Sequence, residues 1–221
     1  MNASVFDFIG TACYYVKEFY GVQNLGHIVD YNLTEELAHG TYVACLSRDL
    51  AREMGFDSSF QKEMARAGLV HDIGKLKLAN YIYGEEKLQS PLVIEEMKYV
   101  RMHPMLSYEI LRDRGYDSFI CESVKCHHEN WDGTGYPDNI SGEQIPIGAR
   151  IIRTCDVFAA LTQDRPYRRH LEMEEAIALM IDEINHFDMQ VFLAFERVVH
   201  QVGTKYKVEF PDSDDILLKR I

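Results

Sequence analysis

An all-α fold is predicted for this 221-residue chain by two apolar stripes of helical period and by a proline placed to open a helix. Met173, Ala176, Ile177, Met180, Ile181 and Ile184 recur at the i, i+3, i+4, i+7 spacing of an amphipathic helix. Leu37, Thr41, Ala44, Cys45 and Ala51 can face inward along an earlier helix, for which Asn32 or Thr34 supplies a start signal. Pro104 cannot continue a preceding helix cleanly but suits a first turn, so His103 falls at a helix junction.

In chain order, residues 1–30 are expected to form an added N-terminal helix, 31–200 the main domain and 201–221 a short C-terminal tail containing Pro211-Asp212-Ser213-Asp214-Asp215. Glu35 and His39 stand four residues apart and therefore share a helix face. The run Asp132-Gly133-Thr134-Gly135-Tyr136-Pro137 reads as an irregular loop, because glycines and proline punctuate helix and strand alike, and Asp138 to Gly142 continue it. No internal repeat or low-complexity segment interrupts the chain.

This length supports one domain of about 150 to 200 residues with extensions. Twenty-three Lys and Arg against 35 Asp and Glu leave a net charge of −12, which disfavours binding to DNA or RNA polymers or to an anionic membrane. An anionic small molecule is still permitted where bound cations outweigh the global field. The five cysteines form no Cys-x-x-Cys pair and read as free thiols, with Cys155 a small core residue. Met1-Asn2-Ala3-Ser4 lacks a positive flank and Asp7 breaks the apolar start, so no export signal is expected. Apolar stretches fall short of the ~20 residues that span a bilayer, and a soluble, cytoplasmic protein is expected.

The chemistry is concentrated in His127-His128-Glu129-Asn130-Trp131-Asp132-Gly133-Thr134-Gly135-Tyr136-Pro137, where adjacent imidazoles run into a polar loop. His71-Asp72 upstream, His103-Pro104 between, and Asp156 downstream complete a set without thiolate. Imidazole and carboxylate suit iron, manganese or zinc. His71, Asp72, His103, His127, His128 and Asp156 are more ligands than one catalytic ion with an open position uses, so several ions are expected. Asp72, directly after a histidine, is the natural bridge.

These motifs resemble the HD-GYP family of metal-dependent phosphohydrolases. The likeness rests on His71-Asp72-Ile73-Gly74-Lys75, His103-Pro104, His127-His128-Glu129, Asp132-Gly133-Thr134-Gly135-Tyr136-Pro137 and Asp164-Arg165-Pro166-Tyr167-Arg168, and it extends over roughly residues 31 to 200. The resemblance implies an HD-domain helical bundle that hydrolyses cyclic di-GMP at two or three divalent ions, usually iron or manganese. It adds His39 as a ligand, and Glu35, which the three-metal members carry. Lys75, Arg165 and Arg168 become candidates for substrate phosphate, with Lys75 catalytic beside Asp72. Tyr136 either packs the loop or stacks near guanine.

The expected reaction is attack of metal-activated water on phosphorus, giving linear pGpG or GMP, with no protein nucleophile. Two rivals stand beside it: a catalytically silent cyclic di-GMP receptor, and a phosphohydrolase of another cyclic dinucleotide. A homodimer or a regulatory protein partner is compatible with either. The chain departs from the family pattern at Ser107, where relatives often have glycine, and at Ala159, where many have aspartate near the nucleotide. Residues 76–91 also lack the usual proline-glycine punctuation after the lysine.

Overall fold

A computed structural model describes residues 27–75, 100–163 and 170–202, with side chains from Glu36 to Gln201 within those ranges. The helix expected before residue 27, the segment 76–91, Arg165, Arg168 and the tail beyond 202 lie outside the described residues. Within them the fold is all-α: α1 (His27–Glu53), α2 (Ser58–Val70), α3 (His103–Asp113), α4 (Ser118–Lys125), α5 (Ile147–Thr162), α6 (Met173–Asp182) and α7 (Met189–Val202), with short 3₁₀ turns at Gly142–Gln144 and Ile184–His186.

Helix α1 runs without interruption through Asn32 and Thr34, so neither caps it, and Glu35 lies in its interior. Polar start signals yield here because continuing the helix keeps the backbone bonded. The inward stripe on α1 forms as expected at Thr41, Ala44 and Ala51, with Val43, Leu46 and Leu50 filling the rest of the buried face. Caps set the next elements. Asp57 accepts the Ser59 and Phe60 amides to start α2, and Asp117 accepts the Phe119 amide to start α4. Pro104 sits in the first turn of α3, as its fixed φ favours.

Helix α5 is the hub, packing against α1, α2, α4, α6 and α7, while α1 lies along α2 and α3 lies on α4. Its side chains Ile151, Ile152, Cys155, Phe158 and Ala159 join Leu46, Leu50, Met64, Val124 and Phe195 in one core. Ala159 is thus fully buried among apolar side chains. On α6, Ala176, Ile177 and Met180 are buried as the stripe predicts, but Ile181 is 48% exposed. The helix contributes a narrow face to the core, and Ile181 falls beyond its edge.

The core brings the ends of three helices together around Asp72. Helices α2 and α4 finish there, at His71 and at Cys126 before His127, and α3 begins there at His103. Close backbone packing holds the junction. A Cβ on Gly74 would stand 2.3 Å from the His103 carbonyl oxygen, so only glycine lets the turn after α2 meet α3. The Gly74 amide donates to the buried Ser107 hydroxyl at 2.8 Å, giving the serine a definite structural role.

Candidate metal centre

Three histidines enter the site by the same local device. His71, His103 and His127 place Nδ1 at 2.8, 2.6 and 2.5 Å from the carbonyl oxygens of Gly68, Val100 and Val124, each three residues earlier. A carbonyl only accepts, so each ring carries a proton on Nδ1 and turns Nε2 into the site. At the ends of α2 and α4 this also satisfies carbonyls that the finished helix leaves open. His39, on α1, sets Nδ1 2.8 Å from Gln163 Oε1.

Asp72 lies between two groups of donors. Its Oδ2 is 3.2 Å from His71 Nε2 and 3.9 Å from His39 Nε2. Asp156 Oδ1 approaches the same two rings at 3.6 and 2.9 Å. Asp72 Oδ1 faces the other way, 3.0 Å from His103 Nε2 and 3.8 Å from His127 Nε2. His128 Nε2 lies 3.2 Å from His103 Nε2. The side chains therefore sort into His39, His71 and Asp156 on one side, and Asp72, His103, His127 and His128 on the other, each set with its ligand atoms within 4.8 Å of one another.

Such spacing fits cations. Donors each ~2.1 Å from one ion stand roughly 3 to 3.4 Å apart, close to the separations around Asp72. The buried atoms His71 Nε2 and Asp72 Oδ1 have no hydrogen-bond partner. Lone pairs converging on one carboxylate repel unless positive charge lies among them. Protons supply it in the absence of ions. Burial lowers the His71 pKa, but the negative charge of Asp72, and of Asp156 beside it, outweighs that and pushes it up to about 10. Burial likewise raises Asp72 and Asp156, yet the neighbouring histidines hold both well below the usual carboxylate range, with Lys75 adding to the effect on Asp72. His127 goes the opposite way, held well below the usual imidazole range by burial and by repulsion from the other rings.

Lys75 Nζ reaches Asp72 Oδ2 at 2.5 Å. Burial alone lowers an ammonium, but Asp72, Glu36 and Asp156 keep Lys75 firmly charged. Glu36 was not nominated from the sequence, although it stands three residues before His39 on the same helix face; its Oε2 is buried without a hydrogen bond. The Glu35 side chain lies outside the described residues, as do Arg165 and Arg168.

The loop after His128 is built as well as bound. Glu129, almost fully buried, accepts the Asp138 amide at 2.6 Å, and Asp132 accepts the amide and hydroxyl of Thr134 at 3.0 and 2.6 Å. Asp132 therefore shapes the turn. Tyr136 stacks on His128, centroids 4.8 Å apart and 21° from parallel, with the Arg101 guanidinium 5.3 Å from its ring centre. The ring thus packs against His128 and Arg101. Sequence reading missed Gln163, Arg101 and Arg153. Arg153 had a signal, since it precedes Asp156 by three residues on α5 and so shares its face.

Cys45, Cys121, Cys126 and Cys155 are free, and Cys155 is fully buried in the core as expected. Among the described residues no helix is long and apolar enough to cross a membrane.

Comparison with known proteins identifies related chains. The model of the family described as HD domain matches residues 24–191. A cyclic di-GMP phosphodiesterase of Pseudomonas aeruginosa is 38% identical over 175 residues, covering 77% of this chain and 41% of the relative. A 3'3'-cGAMP-specific phosphodiesterase of Vibrio cholerae is 37% identical over 172 residues, covering 76% of this chain and 39% of the relative. The chain thus spans about two fifths of the length of these relatives. Among solved structures, an HDG"Y"P protein from Bdellovibrio bacteriovorus shares the fold at a TM-score of 0.59 and 19% identity, over 87% of this chain and 60% of that one.

Proposed function

This chain belongs to the HD domain family, and on that footing we propose that it is a metal-dependent phosphodiesterase that hydrolyses cyclic di-GMP to linear pGpG or GMP. The observation that carries the proposal is the placement of Asp72, whose two oxygens face two separate groups of histidines. One carboxylate between two donor sets is the arrangement by which paired ions clamp a phosphoryl group. Relatives named as cyclic di-GMP phosphodiesterases support the substrate.

One ion would be held by His39, His71, Asp156 and Asp72 Oδ2, the other by Asp72 Oδ1 with His103 and His127, and His128 lies alongside. The oxygen and imidazole donors favour iron(II) or manganese(II). Glu35, in its family role, would serve a third. Ions so held supply Lewis-acid charge and a water acidic enough to attack phosphorus near neutral pH.

The protein's own groups do the rest. Backbone carbonyls hold three imidazoles with Nε2 turned toward the site, so the rings need not reorient on binding. Lys75 presents a permanently charged ammonium at the edge of the site for a phosphate oxygen, and Arg165 and Arg168 extend that charge in this reading. Tyr136 offers a ring face beside His128 on which guanine can stack.

The test is anaerobic protein loaded with iron(II) or manganese(II), incubated separately with cyclic di-GMP and 3'3'-cGAMP, with products resolved by chromatography. Cleavage of cyclic di-GMP is the expected result. Tight binding without cleavage in either metal form would replace the enzyme by a receptor. Cleavage of 3'3'-cGAMP alone would keep the chemistry and overturn the substrate.

A further inference from the structure

Two arginines beside the site lack the partner that others in the chain have. Arg48, Arg52, Arg66, Arg112, Arg150 and Arg197 each pair with an aspartate or glutamate. Arg101 and Arg153 pair with no carboxylate among the described residues, and both touch the stacked rings of Tyr136 and His128. The Arg101 guanidinium stands 5.3 Å from the centre of the Tyr136 ring, and Arg153 Nη1 stands 3.4 Å from His128 Nδ1. In a chain of net charge −12, acidic groups are plentiful enough to neutralise both, yet neither is neutralised.

Arg153 is held in place without losing its charge. It rises from α5 one turn before Asp156, and its Nη2 donates to the side-chain oxygen of the buried Asn130 at 2.8 Å. Asn130 Nδ2 donates in turn to Thr134 Oγ1 at 3.0 Å, so the loop after His128 fixes the guanidinium through an uncharged amide. Arg153 Nε is buried and meets no acceptor among the described residues. A half-buried guanidinium with a donor unmet is costly until an anion joins it. Arg101, exposed two residues before His103, adds a second charge across the same pair of rings.

We propose that Arg101 and Arg153 bind the second phosphodiester of a cyclic dinucleotide, the one that is not being cleaved. The inference rests on the phosphodiesterase reading above and assigns a subsite that it leaves open. A cyclic dinucleotide carries a negative charge on each of its two phosphodiesters. The phosphate at the reacting centre is met beside Asp72 and Lys75. The other is tied to it through the same macrocycle and needs cations of its own against the acidic field of the chain. Guanidinium groups suit that task, since they meet phosphate oxygens through paired N–H donors and keep their charge. Both arginines are binding residues, acting away from the reacting atoms.

The probes are cyclic di-GMP and linear GpG, which keeps both guanines and one phosphodiester but lacks the second. Manganese-loaded protein is compared on the two by steady-state kinetics. Arg101→Gln and Arg153→Gln should each lower kcat/KM for cyclic di-GMP roughly 10- to 100-fold, mainly through KM, as loss of a charged hydrogen-bond donor does. The loss on GpG should be smaller by about tenfold, because the group that the arginines hold is missing from it. Arg101→Lys keeps a charge and should recover part of the cyclic di-GMP loss.

Equal losses on the two ligands would mean that the arginines read guanine or support the loop, and would end the proposal. Wild-type kinetics on cyclic di-GMP in Arg101→Gln would end it too. Arg101 is exposed and makes no hydrogen bond among the described residues, so that variant decides the matter even where Arg153→Gln disturbs the Asn130 contact. Where wild-type protein binds both ligands without cleaving them, dissociation constants replace the kinetic ones and the same comparison decides. Wild-type protein that neither binds nor cleaves a cyclic dinucleotide would instead overturn the phosphodiesterase reading, and this proposal with it.

Discussion

Lys75 Nζ lies 2.5 Å from Asp72 Oδ2, on the carboxylate oxygen that faces His39 and His71. The ammonium thus occupies part of the space where an ion would draw on the same oxygen, and like charges repel at that range. Lys75→Met should therefore retain metal or bind it more tightly, while turnover of cyclic di-GMP falls on the order of 10²-fold through the lost phosphate contact. Metal analysis alongside steady-state kinetics checks both halves. Loss of metal from the variant would mean that Lys75 supports the ligand geometry instead.

Asp72 is the one side chain shared by both donor groups. Asp72→Asn keeps its shape but offers one neutral oxygen, so the two groups no longer share a charged bridge. The expected result is loss of paired occupancy and an activity drop greater than the ~10–100-fold typical of an outer partner. Metal titration to full stoichiometry in Asp72→Asn would reject the bridging role.

Proton release follows from His71. Its pKa in the folded, metal-free protein is about 10 against an ordinary 6.5, so it is charged at neutral pH and must give up its proton to bind an ion. Metal binding at pH 7 to 9 should liberate protons and strengthen as pH rises, which calorimetry in buffers of different ionisation enthalpy measures. For stability the sign is fixed by the upward shift. The contribution of protonated His71 to the metal-free fold is fully present below about pH 6.5 and lost as pH rises through about 10. Thermal unfolding of metal-free protein should show that decline, and a melting temperature rising across the window would contradict it.

Gly135 lets the loop lie on the backbone of the residues that precede it. A Cβ there would meet Asn130 N at 2.3 Å and both Glu129 Cα and the His128 carbonyl oxygen at 2.5 Å, none of which can move as a flexible side chain does. Gly135→Ala should destabilise the fold by about 1 to 3 kcal/mol or more and displace Tyr136 from His128. Denaturant unfolding gives the first quantity. Unchanged stability would show that the loop can lift away from His128 without cost.

Residue type and spacing alone determined the all-α class, the helix opened by Pro104, and a thiol-free set of histidines and carboxylates, because periodicity, proline stereochemistry and ligand chemistry are local properties of the chain. Asp72 could even be singled out, from its place beside His71, as the carboxylate on which the histidines converge. Only the tertiary structure decided the rest. Which histidines stand on which side of Asp72 depends on α2 and α4 ending, and α3 beginning, around that one carboxylate. The direction of each imidazole depends on what meets its second nitrogen: a carbonyl three residues earlier for His71, His103 and His127, but a guanidinium from a distant helix for His128. Ile181 read as core yet is exposed, and Asn32 and Thr34 read as starts yet lie inside α1, since burial and helix continuation are settled by neighbours. Adjacent histidines look alike in a sequence; His127 meets a carbonyl three residues earlier while His128 meets a guanidinium from a distant helix, and that contact sets them apart.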